Sequence, residues 1–245
     1  MNVRALQFNV QGLPILWDSA DKAKDISSVI LALEPLPDAI AFNEMFTRKL
    51  EKHTYKLLHD TYPYWTTRAN ANNSGIFSSG LCIACRHPIV FTASTRYNVC
   101  HELDCVMPKG ALYVRISPPG FPSGIGLVTT HLQAPGAIRQ YTDTRHTQLR
   151  HLQEFLTALR RRGEIPQEGM VVLGDVNMED VTPVEDACTC SAVRTHPDVP
   201  TTDHGERIDL ALVSGHVRSA TAHVLTDVVL SDHFPLVTDI VFDNR

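Results

Sequence analysis

Apolar positions along the chain fall into short β-branched runs separated by segments with helical spacing. VRALQFNV (Val3 to Val10) reads as a first strand. A helical pattern follows from about Ser19 to Leu33, with Ala23, Ile26, Ile30 and Leu33 on one face and Asp18 or Ser19 as the cap. Pro35 and Pro37 end it. DAIAFNEMF (Asp38 to Phe46) reads as a short apolar strand ending in polar residues, and Thr47 as the cap of a second helix carrying Leu50, Leu57 and Leu58. YPYW and the polar run RANANNSG (Arg68 to Gly75) read as a loop, whereas GLCIACRHPI and KGALYVRI are strand-like.

Beyond the turn-rich SPPGFPSG (Ser117 to Gly124) the pattern begins again. IGLVTTHL is a strand. An amphipathic helix follows, with Leu149, Leu152, Phe155, Leu156 and Leu159 on its face. MVVLGDVNM is a strand, then comes a longer loop, then RIDLALVSG and the closing VVLSDHFPLVTDIVF (Val228 to Phe242). Neither half holds an obvious complete sheet of its own. The expectation is one domain over residues 1–245, a sheet core with helices outside.

Polar residues recur where these apolar strands end. Asn9 ends ALQFN, Glu44 ends AIAFNE, His131 ends LVTTH, and Asp175 and Asn177 end VVLGDVN, while Asp209 opens RIDLAL. Asp232 and His233 interrupt the last apolar run, where an unpaired carboxylate and imidazole are costly to desolvate. Each has a plain alternative: Glu44 as a helix-start charge, GDVN as a turn, Asp209 as a partner for Arg207. Together they form a set of four carboxylates, two histidines and two asparagines, which suits a hard, oxygen-seeking cation such as Mg²⁺. A carboxylate beside a histidine holds one tautomer ready to take a proton. The chain has no nucleophile elbow and no Gly-rich Lys-Ser/Thr loop. The chemistry implied is metal-assisted attack of water on a phosphate ester.

Charge narrows the substrates. Lys plus Arg is 22 and Asp plus Glu is 27, a formal charge of −5 in 245 residues. That argues against tight binding of long nucleic acid. Without an apolar leader or membrane-span-length segment the chain reads as cytoplasmic, so its six cysteines are expected as free thiols. Cys82 and Cys85 read as small buried strand residues; Cys100 and Cys105 flank a short polar turn and would bridge only in an oxidising compartment.

In this order QFNVQGLP, FNEMF, THLQA, GDVN, RIDLAL and SDHFP resemble the endonuclease/exonuclease/phosphatase superfamily, over nearly the whole chain from Asn9 to Pro235. THLQA followed by TRHTQLRHLQEFL, the Asn43 to Phe46 segment and Lys109-Gly110 are similar to its neutral sphingomyelinase branch. The resemblance implies an α/β fold, a four-layer α-β-β-α sandwich of two mixed sheets with the site at one end. It implies Glu44 as main metal ligand with Asn9 and Asp232 near it, and Mg²⁺ as the ion, Mn²⁺ or Co²⁺ being alternatives. His233 or Asp175 would activate water, Asp209 would fix the His233 tautomer, and Asn177 and His131 would contact the phosphoryl oxygens, with Lys109 as a substrate-binding residue. The activity implied is a phosphodiesterase acting on sphingomyelin or a related choline phospholipid, the alternatives being a nuclease or DNA-repair phosphodiesterase and an inositol-phosphate phosphatase. A monomer with peripheral membrane contact is expected. The segment Val213 to Leu230 lacks the aromatic membrane hairpin of the secreted bacterial members, which puts that contact in doubt. Trp17 with Leu13 and Ile15, or Tyr62, Tyr64 and Trp65, would substitute for it unless they belong to the core.

Overall fold

The computed structural model describes residues 1–13, 19–67, 69–70, 78–136, 138–196 and 198–243. Two six-stranded sheets lie face to face. The first takes its strands in the order β11 (Val217–Val224), β12 (Leu236–Phe242), β1 (Asn2–Asn9), β2 (Ala39–Asn43), β4 (Cys82–Cys85) and β3 (Tyr64–Trp65). The second runs β5 (Ile89–Arg96), β6 (Gly110–Ile116), β7 (Ile125–His131), β8 (Gly169–Asp175), β10 (Asp209–Gly215) and β9 (Ser191–Ala192). Both are mixed. β1 pairs parallel with β2 and β7 with β8, each across a helix, α1 (Ser19–Leu31) or α3 (Thr142–Arg161), and the other pairings are antiparallel.

The helices form the outer layers. Ile26 and Ile30 of α1, with Leu50 and Leu58 of α2 (Arg48–Leu58), pack on Leu6, Phe8 and Phe42 of the first sheet. Leu149, Leu152 and Leu156 of α3, with Val184 of α4 (Thr182–Cys188), pack on Val128 and Val172 of the second. Between the sheets lie Val3, Ala5, Ala41, Leu112, Leu127, Val171 and Leu173. The result is the α-β-β-α sandwich expected. The closing strand β12 pairs with β1, so the first sheet joins the two ends of the chain. Residues 117–124 turn between β6 and β7, which are hairpin partners, so this break is a loop within one sheet.

Several boundaries and elements differ from the pattern reading. β5 and β11 lie outside the predicted elements, because each is an edge strand that alternates toward solvent and so lacks the continuous apolar run of a covered strand. Tyr64 and Trp65 form the two-residue β3 where a loop was expected, and α4 occupies part of the longer loop. Residues 228–233 are not part of the final strand. They turn over the site, and only Leu236–Phe242 pairs in the sheet. Thr47 does cap α2, its hydroxyl accepting from Leu50 N at 3.3 Å, but Leu57 faces solvent. Asp18, Trp17 and Ile15, and most of the 68–75 loop, lie outside the described residues. Of the other aromatic cluster, Tyr62 is fully buried, Trp65 stacks on Phe42 at 5.5 Å, and Tyr64 is exposed.

The expectation of free thiols fails for one pair. Cys100 and Cys105 are disulfide-bonded, because the single 3-10 turn Glu102–Cys105 between them brings their Cα atoms to 5.1 Å. Cys82 and Cys85 are free and buried in β4. Among the described residues no helix is long and apolar enough to cross a membrane.

Gly174 shows how closely the central strands approach. A Cβ there would lie 2.1 Å from the Thr130 carbonyl oxygen of β7. Gly174→Ala is therefore expected to cost about 2–4 kcal/mol of stability, read from urea unfolding. A change below about 0.5 kcal/mol would contradict this packing.

Candidate active site

Period-two alternation builds the site. In β1, Val3, Ala5, Gln7 and Asn9 share one parity, and Val3 and Ala5 lie in the core between the sheets. The same holds for Ala39, Ala41 and Asn43 in β2, Leu127 and His131 in β7, Val171, Leu173 and Asp175 in β8, and Asp209, Ala211 and Val213 in β10. Each row starts apolar and turns polar at the same end of the sandwich. β10 runs antiparallel to β8, Asp209 opposite Asp175, which is why Asp209 opens its strand while the others close theirs. The site is the polar end of the inter-sheet core.

Asp175 is the hub. Its Oδ2 accepts from Asn9 Nδ2 at 3.1 Å and lies 3.3 Å from His131 Nε2 and 3.6 Å from His233 Nε2. Its Oδ1 accepts from Asn177 N at 3.0 Å. On the far side of the His233 ring, Nδ1 lies 2.7 Å from Asp209 Oδ2. Thus Asn9, His131, Asp175, Asp209 and His233 form one contiguous cluster. Glu44 stands at its edge, its Oε1 4.0 Å from His131 Nε2, in a left-handed backbone conformation (φ 61°) just beyond β2. Gly12 permits that turn, since a Cβ there would lie 2.4 Å from the Glu44 carbonyl oxygen. Lys109, buried, places Nζ 2.9 Å from His131 Nε2 and 3.2 Å from Asp104 Oδ1.

Asn177 and Asp232 flank this cluster. The Asn177 amide donates one of its two N–H groups to the Leu132 carbonyl at 3.1 Å, in the loop after β7. Asp232 accepts from Ser231 Oγ at 3.1 Å, and its carbonyl accepts from Asp203 N at 2.9 Å. Lys22 of α1, buried, donates to the Leu230 carbonyl and lies in the field of both Asp232 and Glu44. It anchors the turn that carries His233. Gln7, Lys22 and Thr201, whose hydroxyl accepts from Asp209 N at 3.1 Å, were not among the candidate residues, and Asn43 was noted only within a motif. For Gln7 and Asn43 the signal was present, as polar residues on the apolar parity of β1 and β2.

Electrostatics follow from the burial. Desolvation pulls the His233 imidazole down, but the charges of Asp209 and Asp175 and the Asp209 hydrogen bond outweigh it and raise it to about 10. For Asp175 burial acts upward, yet the adjoining His131 and His233 rings hold it well below the carboxylate range. Burial raises Asp209. The His233 shift carries a sign. With a folded value above the unfolded one near 6.5, its contribution to stability is full below that pH and is lost as pH rises through about 10. With a chelator present, the urea-midpoint gap between wild type and His233→Gln should narrow from pH 6 to pH 10.5. A constant or widening gap would refute the pairing.

Asp175, Asp209 and His233 offer ligand atoms within 4.8 Å of one another. Yet Asp209 Oδ2 and His233 Nδ1 already satisfy each other, and Asp209 Oδ1 accepts from Gln7 Nε2 at 2.8 Å. Outside that cluster the oxygen donors are Glu44, whose carboxylate is about one-fifth exposed, and Asp232, while Asn9 Oδ1 already accepts from Gln11 N at 3.1 Å. Beside Glu44 a recess of about 200 Å³ is lined by Leu13, Phe46, Leu103, Met107, Lys109 and Pro135, among others. A wider groove of about 960 Å³ runs along β9, β10 and β11 and touches none of the site residues.

The endonuclease/exonuclease/phosphatase family model matches residues 6–233. A candidate neutral sphingomyelinase of Caenorhabditis elegans is 26% identical over 188 residues, covering 72% of this chain and 41% of that protein, so the chain spans about two fifths of that relative's length. Sphingomyelinase C from Streptomyces griseocarneus superposes with a TM-score of 0.80 at 18% identity, covering 98% of this chain and 99% of the other. A double mutant of the beta toxin from Staphylococcus aureus with bound magnesium ions gives 0.80 at 17% identity, covering 97% and 99%. With both sheets, the strand-end residues and a family match across most of its length in agreement, the chain belongs to the endonuclease/exonuclease/phosphatase family.

Proposed function

We propose that this chain is a Mg²⁺-dependent phosphodiesterase of phospholipase C type, acting on sphingomyelin or a related choline phospholipid. The observation that carries the hydrolytic reading is the convergence of His131 Nε2 and His233 Nε2 on one buried Asp175 oxygen, at 3.3 and 3.6 Å. A water bonded to Asp175 Oδ2 gives its proton to His233 Nε2 as it attacks phosphorus, a step that needs the ring in its neutral form and so gains as pH rises toward about 10. Asp209 keeps the His233 ring turned so that Nε2 faces Asp175. The Lys109 ammonium beside His131 offers positive charge where the phosphoryl oxygens gain negative charge. Asn9 holds Asp175 in place from the opposite sheet. A Mg²⁺ held by Glu44, with Asp232 and Asn9 near it, would act as a Lewis acid on the phosphoryl and leaving oxygens.

The lipid part of the reading is supported by the worm relative and by the sphingomyelinase whose fold the chain shares. A net charge of −5 weighs against the nuclease alternative. The test is a Mg²⁺ assay with sphingomyelin, lysophospholipid, abasic DNA and inositol polyphosphates in parallel. Release of phosphocholine from at least one lipid, at rates well above those on DNA, is expected. Activity on DNA or inositol phosphates alone would overturn the lipid assignment, and activity on none would overturn the hydrolase.

A further inference from the structure

Gln7 is fully buried near the end of β1, where an apolar side chain would fill the row begun by Val3 and Ala5. Its Nε2 donates to Asp209 Oδ1 at 2.8 Å and to Asn43 Oδ1 at 3.0 Å. Its Oε1 is buried with no hydrogen-bond partner among the described residues. A buried amide with one unsatisfied atom is costly, and an aliphatic side chain would avoid the cost. Turning the amide over would set its oxygen against two acceptor oxygens, so the two donated bonds dictate its orientation.

The partners show what these bonds do. Asp209 uses its other oxygen for His233 Nδ1, at 2.7 Å. Asn43 donates in turn to the Thr130 carbonyl at 3.0 Å, next to His131, and directly precedes Glu44. One nitrogen on the first sheet therefore reaches Asp209 on the second and the Asn43–Glu44 turn on its own. The terminal torsion of an aspartate is intrinsically broad, and a carboxylate bonded through both oxygens loses that freedom.

The geometry points to Gln7 as a positioning residue that pins the Asp209 carboxylate, and through it the His233 ring, to the Asn43–Glu44 turn. The kinetic arm of the test rests on the hydrolase reading, and the spectroscopic arm does not. Gln7→Met keeps the length and removes the donor. On bis(p-nitrophenyl) phosphate with saturating Mg²⁺, kcat should fall about 10- to 100-fold, the range for a hydrogen bond to a charged group, with KM within about twofold. In an Asp209→Asn background the same change should cost less than about threefold, because the carboxylate it acts through is gone. Independently, nitrogen-15 NMR of the metal-free protein should show the His233 Nδ1–H resonance strongly downfield in wild type, and shifted or broadened in Gln7→Met. A residue that only filled space would lower the melting temperature while leaving the His233 resonance and the non-additivity unmoved, and that result overturns the proposal. If wild type turns over no phosphodiester, the hydrolase reading falls and the NMR comparison alone decides for or against Gln7. Should Gln7→Met fail to fold, Gln7→Asn, one methylene short, is measured in the same way with the same criteria.

Discussion

His233→Ala is expected to lower turnover by about 10²- to 10⁴-fold, the range for losing a positioned proton-transfer group. His233 is the ring that faces both buried carboxylates: Nδ1 is bonded to Asp209 and Nε2 lies 3.6 Å from Asp175 Oδ2. No other described side chain spans the same two groups. The substitution also strands two buried carboxylates, a destabilising change in its own right. The assay therefore belongs at a temperature where circular dichroism shows the variant folded. A folded His233→Ala protein that kept more than a tenth of wild-type turnover would remove His233 from the mechanism. Asp209→Asn tests the same bond from the other side and should fall in the same direction by a smaller factor.

On the mechanism proposed, Glu44 is the main ligand of a Mg²⁺ whose Lewis-acid contribution is worth several kcal/mol, so Glu44→Gln is expected to cost about 10³-fold in turnover at limiting Mg²⁺. Glu44 is suited to this role by position. It is partly exposed, it stands 4.0 Å from His131, and its left-handed backbone turns it off the end of β2 toward the recess. Calorimetric titration with Mg²⁺ gives a readout that does not depend on turnover, and affinity should drop together with activity. Unchanged Mg²⁺ affinity in Glu44→Gln would move the metal elsewhere. The cluster of Asp175, Asp209 and His233 would then be the next place to look.

How far the chain could be read varies with the element. Central strands such as β7 and β8 announce themselves by apolar runs, Ile125–Val128 and Met170–Leu173, because both their faces are covered. Edge strands do not. IVFTASTR in β5 and VRSATAHV in β11 alternate toward solvent and resemble polar connections. The polar tips were legible as residue types in a recognisable order. The Ser231-Asp232-His233 turn was legible as chemistry but not as shape. It reads as strand because its flanks are apolar, yet it lies over the site, tied by Lys22 to Leu230 and by Asp203 to Asp232. The Cys100–Cys105 bridge was weighed by compartment, whereas the local 3-10 turn decides it.

The sequence by itself determined the parity of each strand and the end at which that parity turns polar, because side chains alternate with a period of two whatever the strand pairs with. This is enough to place Asn9, His131, Asp175 and Asp209 at strand ends. Which of them touch was decided only by the packing of one sheet on the other. Gln7 meets Asp209 across 202 positions of sequence, and Asn9 meets Asp175 across 166. No local pattern encodes such contacts. They exist because stacked sheets lie about 10 Å apart, a gap that paired polar side chains can span where the apolar core ends.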